Sequence, residues 1–466
     1  MKSYLAIDIQ PRRGKAFLGS VTPGGVQLVE VGSFPVRAVE VFGRWMWDLP
    51  SVYLGILDVL RRVADWGVDV ASVGLCSFGF DFCCLGVDGR MLSLPDAFVG
   101  KMSSPAPGRY FERMPRKMLY KVVAQQALPY KTLFQLDAMQ RAGDVPLSVA
   151  DKLLFFPDAL TYMLTGEVVV ESTIVGSSGL VDVATRCLDQ RVLASVGLSS
   201  RRFGTFVEPG MAVGVLSDNV RRQTGLPPVP VVAVAGYDVA SAMLSVPTAE
   251  TDFAFVFCGY MASVGVETSR PIVDARVEGA DLSVTHGVGG AVHIHRQSMG
   301  LRLLQVCGDE IGVGAGGCAL PGVGGARSIV STDDPAFADP WHVVEAVRRQ
   351  CADTGQRVPA GRGEVEECLR LSLANRYAEL VRTVLAATRL SVGAVHVVGP
   401  GAADAAMCQY LADISGRRVV AGPVEATAVG NVLAQALAGG EILNVCDVRS
   451  RLSARVAAAS FEPRGL

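Results

Sequence analysis

The chain has 466 residues, of which 50% are hydrophobic and 19% are charged, and its 43 basic and 45 acidic side chains leave a formal net charge of −2. This composition is typical of a globular protein, and the length favours two domains, because one hydrophobic core rarely grows beyond about 250–300 residues. The near-neutral charge argues against a nucleic-acid or anionic-membrane partner that is bound by bulk electrostatics.

The N-terminal residues and the cysteines favour a cytoplasmic protein. The chain reaches Asp8 before any apolar stretch long enough for a signal peptide, and no uninterrupted apolar run of about 18 residues predicts a membrane span. The eleven cysteines include no Cys-x-x-Cys pair, which favours reduced, buried thiols over disulfides or a zinc site. The oligomeric state is left open between a monomer and a homodimer.

Strands and helices are predicted to alternate along the first half of the chain. Apolar runs and helical spacing of Leu, Ile and Val are the signals that separate the two. They predict strands at Tyr4–Ile9, Lys15–Ser20, Val73–Ser77, Asp81–Leu85 and Val231–Ala235, a helix at Ser51–Trp66, and mainly helical structure over 111–165.

The second half shows the same alternation, which is typical of a second α/β domain. A Gly-rich stretch over 312–325 contains a formal Gly-x-Gly-x-x-Gly, but it lacks the preceding strand and the following helix, so we interpret it as a loop. The predicted elements are strands at Phe253–Phe257, Ser263–Glu267, Ala394–Val398 and Arg417–Ala421, and helices at Glu364–Leu390, at Ala402–Ile414 and after Glu425.

The segment Ala235-Gly-Tyr-Asp238 ends a hydrophobic strand in a carboxylate and is followed by small residues that open a helix. In an α/β protein, ligands bind outside the carboxyl ends of the strands, so Asp238 is predicted to face a cleft and to accept a proton from a hydroxyl group. The same position also suits an N-cap, whose side chain accepts the first amide protons of the helix. The local residues leave both interpretations open.

Several stretches resemble the FGGY family of carbohydrate kinases. One family motif is nearly identical to Ala421-Gly-Pro-Val-Glu-Ala-Thr-Ala-Val-Gly-Asn431. Another, Gly-His-Asp-Thr-Ala-Ser-Ala, resembles Ala235-Gly-Tyr-Asp-Val-Ala-Ser-Ala242. The resemblance covers nearly the whole chain. It implies an α/β fold of two actin-like, ribonuclease H-like ATPase domains, 1–243 and 244–466, with ATP and a small-molecule sugar in the cleft between them.

The resemblance also implies roles for individual residues. Asp238 falls on the catalytic base that deprotonates the attacking sugar hydroxyl, and Asp8 falls on the first-strand carboxylate near Mg²⁺. The other matched positions belong to two binding surfaces. The sugar side comprises Gly79, Asp81, Tyr237 and Gln297, and the ATP side comprises Arg12, Arg13, Gly14, Lys15, Gly259, Tyr260, Gln305 and Gly401.

The phosphate-binding loops depart from the family pattern. After Asp8 the family has a small-residue turn resembling Gly-Ala-Ser-Ser-Gly-Arg, whereas this chain has Gln10-Pro-Arg-Arg-Gly-Lys15. A phosphate cradle depends on accessible backbone N–H groups, and Pro11 has none. The three basic side chains of this turn are expected either to bind phosphate by their charge or to be solvated.

Other loops differ as well. Cys258-Gly-Tyr-Met261 replaces Ser-Gly-Thr-Trp, and Gly399-Pro-Gly-Ala-Ala-Asp404 replaces Gly-Gly-Gly-Ser-Gln-Asn. On the sugar side Tyr237 stands where the family has His, and Lys131 stands where it has Asn. Such changes alter sugar preference, because each buried polar group left unpaired costs about 1–3 kcal/mol.

Two functions follow from this pattern. The first is an ATP-dependent kinase that transfers the γ-phosphate to a hydroxyl of a ketose or related sugar, with Asp238 as base and Asp8 near the metal. The second is a catalytically impaired pseudokinase of the same fold that binds a sugar or a partner protein. Fold alone does not decide between them.

Overall fold

The computed structural model describes residues 2–97, 107–311, 328–338, 342–445, 449, 452 and 459–464. The predicted Gly-rich loop at 312–325 lies outside these residues. Among the helices of the described ranges, none is both long and apolar enough to cross a membrane.

The described strands and helices are numbered along the chain. The strands are β1 (Ser3–Gln10), β2 (Arg12–Thr22), β3 (Gly25–Val36), β4 (Ala38–Val41), β5 (Arg44–Trp47), β6 (Val70–Ser77), β7 (Phe82–Leu85), β8 (Lys152–Phe155), β9 (Val169–Glu171), β10 (Thr205–Val207), β11 (Ala212–Val215), β12 (Pro230–Val232), β13 (Phe253–Cys258), β14 (Met261–Thr268), β15 (Ser283–His286), β16 (Val292–Met299), β17 (Ala394–Val398), β18 (Arg418–Ala421) and β19 (Ala459–Phe461). The α-helices are α1 (Leu49–Asp65), α2 (Gly108–Phe111), α3 (Arg116–Val123), α4 (Thr132–Ala142), α5 (Val145–Val149), α6 (Phe156–Thr165), α7 (Ser172–Ser177), α8 (Gln190–Ser195), α9 (Asp218–Thr224), α10 (Asp238–Leu244), α11 (Ala275–Gly279), α12 (Arg302–Ile311), α13 (Val343–Asp353), α14 (Arg362–Thr388), α15 (Ala405–Ser415) and α16 (Ala426–Ala438).

Each half of the chain is built on a mixed sheet, and the two sheets share one strand plan. The first has the order β11-β12-β6-β1-β2-β3 and the second has the order β15-β16-β14-β13-β17-β18-β19. In the first sheet β1, β2 and β3 are antiparallel, whereas β6 is parallel to β1 and β12 is parallel to β6. In the second, β13, β14 and β16 are antiparallel, and β17 and β18 continue the sheet in parallel. The prediction of two repeated α/β halves is therefore confirmed.

Helices cover both faces of the first sheet, which explains why its central strand is apolar throughout. Residues 4–9 of β1 are all buried, since α1 packs on one side of the sheet and α16 on the other. The start of α1 follows from local chemistry, because Asp48 accepts the Ser51 N–H at 3.2 Å and Pro50 suits the first turn.

Some boundaries differ from the sequence prediction. The strand predicted to run to Ala235 ends at Val232, and the backbone beyond it bonds to other segments: Ser77 N–H donates to Gly236 O at 2.9 Å. Likewise α15 begins at Ala405, because Asp404 caps it by accepting the Met407 N–H at 2.9 Å. Strand β3 was not predicted, since its residues alternate between buried and exposed less regularly than a simple strand pattern requires.

The two halves are joined where α10 crosses α16. A Cβ on Gly430 would overlap the carbonyl oxygen of Ser241, so the two helix backbones are in direct contact there. The Ser241 hydroxyl donates to Thr427 O at 2.9 Å. Further along α16, the Asn431 amide donates to Gly74 O at 3.0 Å and the Gln435 amide donates to Leu5 O at 3.1 Å. The predicted division between 243 and 244 falls in the last turn of α10 and stays a prediction.

This crossing predicts a large cost for any side chain at Gly430. We expect Gly430→Ala to lower the free energy of unfolding by about 3 kcal/mol or more, because the new methyl group meets backbone that cannot rotate away. The measurement is urea denaturation followed by circular dichroism. Gly363→Ala in α14 is the control, since its Cβ would meet open space. Equal stability of the two variants would contradict the close crossing.

Candidate active site

A cleft forms between the halves, where two hairpin tips meet the starts of helices α12 and α16. The tip between β1 and β2 carries Pro11, and the tip between β13 and β14 carries Gly259 and Tyr260. These tips and the residues before α16 line a cavity of about 410 Å³. We call it the large cavity, to distinguish it from the small cavity beside Asp238. The lining includes the predicted residues Asp8, Arg12, Arg13, Lys15, Gly259, Tyr260 and Gln305.

The large cavity borders a second space on the side of α12 and α15. Leu301, Gln305 and Pro400 line both, and the second space, about 590 Å³, reaches Asp404 and Ala406. Together they form an elongated depression from Asp8 to the start of α15. This shape suits a long ligand with a charged end near Asp8.

Asp238 is the first residue of α10 and lines a smaller cavity on the other side of the hairpin tips. The N-cap of the helix is Tyr237, and no side chain caps it; the Asp238 carboxylate accepts the neighbouring Val239 N–H at 2.8 Å and a hydrogen bond from the Gln10 side chain. The N-cap interpretation of Asp238 is therefore wrong. The carboxylate instead lies at the edge of a cavity, as the cleft interpretation predicted.

Asp238 and Asp8 form a buried acidic pair. Burial, and secondly the charge of Asp8, raise the pKa of Asp238 to about 7. Burial, and to a lesser extent the charge of Glu425, raise the pKa of Asp8 to about 6, although the Gln10 amide donates to its Oδ1 at 2.8 Å. Asp238 is thus poised to take up a proton near neutral pH.

The residues around Asp8 fit a magnesium ion, although no group of three His, Cys, Asp or Glu gathers within the described ranges. Mg²⁺ typically binds one or two carboxylates and keeps water molecules and phosphate oxygens as its other ligands. A cation beside Asp8 would relieve the repulsion that Asp238 and Glu425 exert on its charge.

Two of the three basic side chains in the first hairpin tip are ion-paired across the cleft. Arg12 contacts Asp309 of α12 at 2.6 Å and Lys15 contacts Glu425 at 2.5 Å. The Arg13 guanidinium instead donates to Ser33 on β3 at 2.8 Å. Arg12 and Lys15 line the large cavity, and each already has a carboxylate partner.

Three predicted site residues are packed away from the cavities. Gly14 accommodates the ring of Phe34, and Gly401 accommodates the Cys258 thiol, because a Cβ at either position would overlap its neighbour. Asp81 is almost fully buried and accepts hydrogen bonds from Trp47 Nε1 at 2.6 Å and Gln135 Nε2 at 2.9 Å. These residues support the walls of the site, and their predicted places on the binding surfaces stay predictions.

The small cavity measures about 40 Å³, and six of its lining residues are aromatic. Gln297 of β16 crosses it: Tyr130 Oη donates to Gln297 Oε1 at 3.0 Å, and Gln297 Nε2 donates to Tyr237 Oη at 2.9 Å. Its other aromatic lining residues are Phe78, Phe80, Phe257 and Tyr260, beside Gly79. The sequence indicated Gly79, Tyr237 and Gln297, but Tyr130 was missed because nothing in its own neighbourhood marks it as cavity-facing.

Comparison with known proteins decides the family. The model of the FGGY family of carbohydrate kinases, N-terminal domain, matches residues 108–245, and the C-terminal domain model of that family matches 330–439. A rhamnulokinase from Bacteroides thetaiotaomicron is 37% identical over 473 residues, covering 100% of this chain and 96% of that protein. The chain belongs to the FGGY family of carbohydrate kinases. A rhamnulokinase from Bacillus subtilis is 26% identical and covers 99% and 96% of the two chains.

Solved structures of the family share the fold. A ligand-bound xylulose kinase from Lactobacillus acidophilus superposes with a TM-score of 0.75 at 11% identity, covering 100% of this chain and 94% of that chain. Glycerol kinase from Plasmodium falciparum with ADP gives a TM-score of 0.72 at 12% identity, covering 100% and 95%. The predicted two-domain, actin-like architecture is therefore confirmed, and the chain has the fold and the family membership of an ATP-dependent carbohydrate kinase.

The Arg12–Asp309 pair generates a prediction about nucleotide binding. We expect Asp309→Asn to tighten ATP binding by roughly 3- to 10-fold, because it frees Arg12 and removes a negative charge that faces the triphosphate. Isothermal titration calorimetry with ATP measures the change. Asp218→Asn is the control, since Asp218 pairs with Arg221 on α9 at 2.8 Å and neither residue lines the cavity. The same affinity for both variants would contradict this role of Asp309.

Proposed function

We propose that this protein transfers the γ-phosphate of ATP to a hydroxyl group of a ketose or closely related sugar, and that rhamnulose is the first sugar to test. The observation that carries the proposal is the place of Asp238. Its carboxylate lines the small cavity, and Gln10, Pro11 and Tyr260 separate this cavity from the large one while lining both. The 37% identity with a rhamnulokinase supports the choice of sugar.

Asp238 acts as the general base. Its raised pKa suits a group that takes the hydroxyl proton while the oxygen bonds to the γ-phosphorus and the bond to the leaving ADP oxygen breaks. Asp8 would hold Mg²⁺ through water, and bound Mg²⁺ would neutralise charge on the phosphate oxygens. Arg12 and Lys15 bind phosphate oxygens by charge, in place of the backbone N–H that Pro11 lacks.

The sugar binds in the small cavity after the two halves separate. A cavity needs about 10–15 Å³ to hold a single water molecule, so the present space of about 40 Å³ is tight for a ketose. Binding must therefore break the Gln297 hydrogen bonds to Tyr130 and Tyr237, which join the halves. Closure around the bound sugar would then exclude water that could otherwise accept the phosphate.

The pseudokinase is the second candidate, and one observation favours it. Arg12 and Lys15, two of the three cations that line the large cavity, are already neutralised by Asp309 and Glu425. Triphosphate binding has to compete with these pairs. The pseudokinase predicts that the protein binds a sugar or a partner protein without measurable transfer of phosphate from ATP.

Substitution of the base tests the chemistry. We expect Asp238→Asn to lower kcat for phosphorylation of rhamnulose by about 100- to 10,000-fold, because the amide cannot accept the hydroxyl proton. A coupled assay of ADP release measures the rate, and KM for ATP should stay within about threefold.

The control is Asp218→Asn, an aspartate that likewise begins a helix but is exposed on α9. Its kcat should match that of the unchanged protein. Full activity of Asp238→Asn would remove Asp238 from the mechanism.

The raised pKa of Asp238 predicts the pH dependence of the reaction. The base works only when ionised, so kcat/KM should rise with pH and reach half of its limiting value near pH 7. Initial rates from pH 5 to pH 9 at low sugar concentration measure this. An acid limb near pH 4, the range of an ordinary aspartate, would contradict the buried, charge-coupled environment.

A further inference from the structure

Glu171 lies at the end of β9, is buried, and caps the short helix α7. Its carboxylate accepts the N–H groups of Thr173 at 2.8 Å and Ile174 at 3.0 Å, and the Thr173 hydroxyl at 2.7 Å. These are the bonds of an N-cap. Glu171 Oε2 also accepts the N–H of Gly236 at 2.9 Å. This bond connects the cap to the segment that leads to Asp238.

Thr173 extends this contact by one residue. Its Oγ1 donates to Glu171 and accepts the N–H of Tyr237 at 3.2 Å. The two successive amides before Asp238 are thus bound by neighbouring side chains of one cap. The fit is close, because a Cβ on Gly236 would lie 2.8 Å from Glu171 Oε2.

The opposite side of the segment is held by the first sheet. Ser77 N–H donates to Gly236 O at 2.9 Å, and Ser77 forms a parallel bridge with Tyr237. Beyond the end of β12, Ala233 is bonded to Gly210 and Met211, whereas Gly236 and Tyr237 are held by this bridge on one side and by the Glu171 cap on the other. Removal of the cap contacts would leave Gly236 and Tyr237 held from one side.

We propose that Glu171 and Thr173 are positioning residues for Asp238: by binding the amides of Gly236 and Tyr237 they hold the Asp238 carboxylate at the edge of the small cavity. The kinetic consequence rests on the proposed function, whereas the effect on the backbone does not. Displacement of a catalytic group by about 1 Å can cost about 100-fold in rate.

The test uses the full chain and four variants. Glu171→Gln places an amide group among the N–H donors, and Thr173→Val removes the hydroxyl at nearly constant volume. Thr173→Ser keeps the hydroxyl and should rescue. Glu208→Gln is the matched control, since Glu208 accepts the Ser172 hydroxyl at 2.7 Å in the same region but does not contact the segment before Asp238.

Two readouts are recorded for each variant: steady-state kinetics with rhamnulose and ATP, and amide hydrogen exchange of peptides that cover 233–239. We expect Thr173→Val and Glu171→Gln to lower kcat about tenfold or more, to change KM for ATP less than about twofold, and to speed exchange in this segment. Thr173→Ser and Glu208→Gln should match the unchanged protein in both.

The outcomes separate this proposal from the proposed function. Unchanged exchange, or faster exchange with unchanged kcat, overturns the positioning role. Failure of the unchanged protein to phosphorylate any sugar overturns the proposed function, while the exchange data still decide whether Glu171 and Thr173 hold the segment. If Glu171→Gln does not fold, the comparison of Thr173→Val with Thr173→Ser decides alone.

Discussion

The direct backbone contact between α10 and α16 is the constraint on which the site depends. Gly430 lies against the Ser241 carbonyl, and the amides of Asn431 and Gln435 tie α16 to the first sheet. Helix α10 begins with Asp238, and α16 follows directly after Glu425. The crossing therefore fixes the position of the candidate base relative to the edge of the large cavity. Any motion that opens the cleft must turn about this crossing or bend the helices near it.

The cleft holds both acidic and basic side chains. Burial raises the pKa of Asp8 to about 6, and burial together with the charge of Asp8 raises the pKa of Asp238 to about 7, while Arg12 and Lys15 are paired with Asp309 and Glu425. A magnesium–nucleotide complex would bring both a cation for the carboxylates and anions for the basic side chains. The altered hairpin tip is thus compatible with phosphate binding by side-chain charge, at the cost of two existing ion pairs.

The architecture could be predicted because strand–helix alternation is a local signal, whereas Asp238 is indicated as the base by the apolar run before it together with the family resemblance. Contacts between distant segments leave no local signal in the sequence. Gly14 and Gly401 match phosphate and adenosine positions of the family, and they also accommodate Phe34 and Cys258, which the sequence does not indicate. Asp81 is bound by Trp47 and Gln135, and the contact of Glu171 with Gly236 joins residues 65 positions apart. Such partners are chosen by packing in three dimensions, which spacing along the chain does not encode.

Whether the cleft binds ATP, despite its altered phosphate-binding loops, decides between a kinase and a pseudokinase. The most direct measurement is the thermal unfolding of the unchanged protein at millimolar ATP, with and without Mg²⁺, because a ligand that binds only the native state must raise its stability. A kinase predicts a rise in Tm that grows with ATP concentration and is larger with Mg²⁺. A Tm that does not change with nucleotide under either condition would contradict the account.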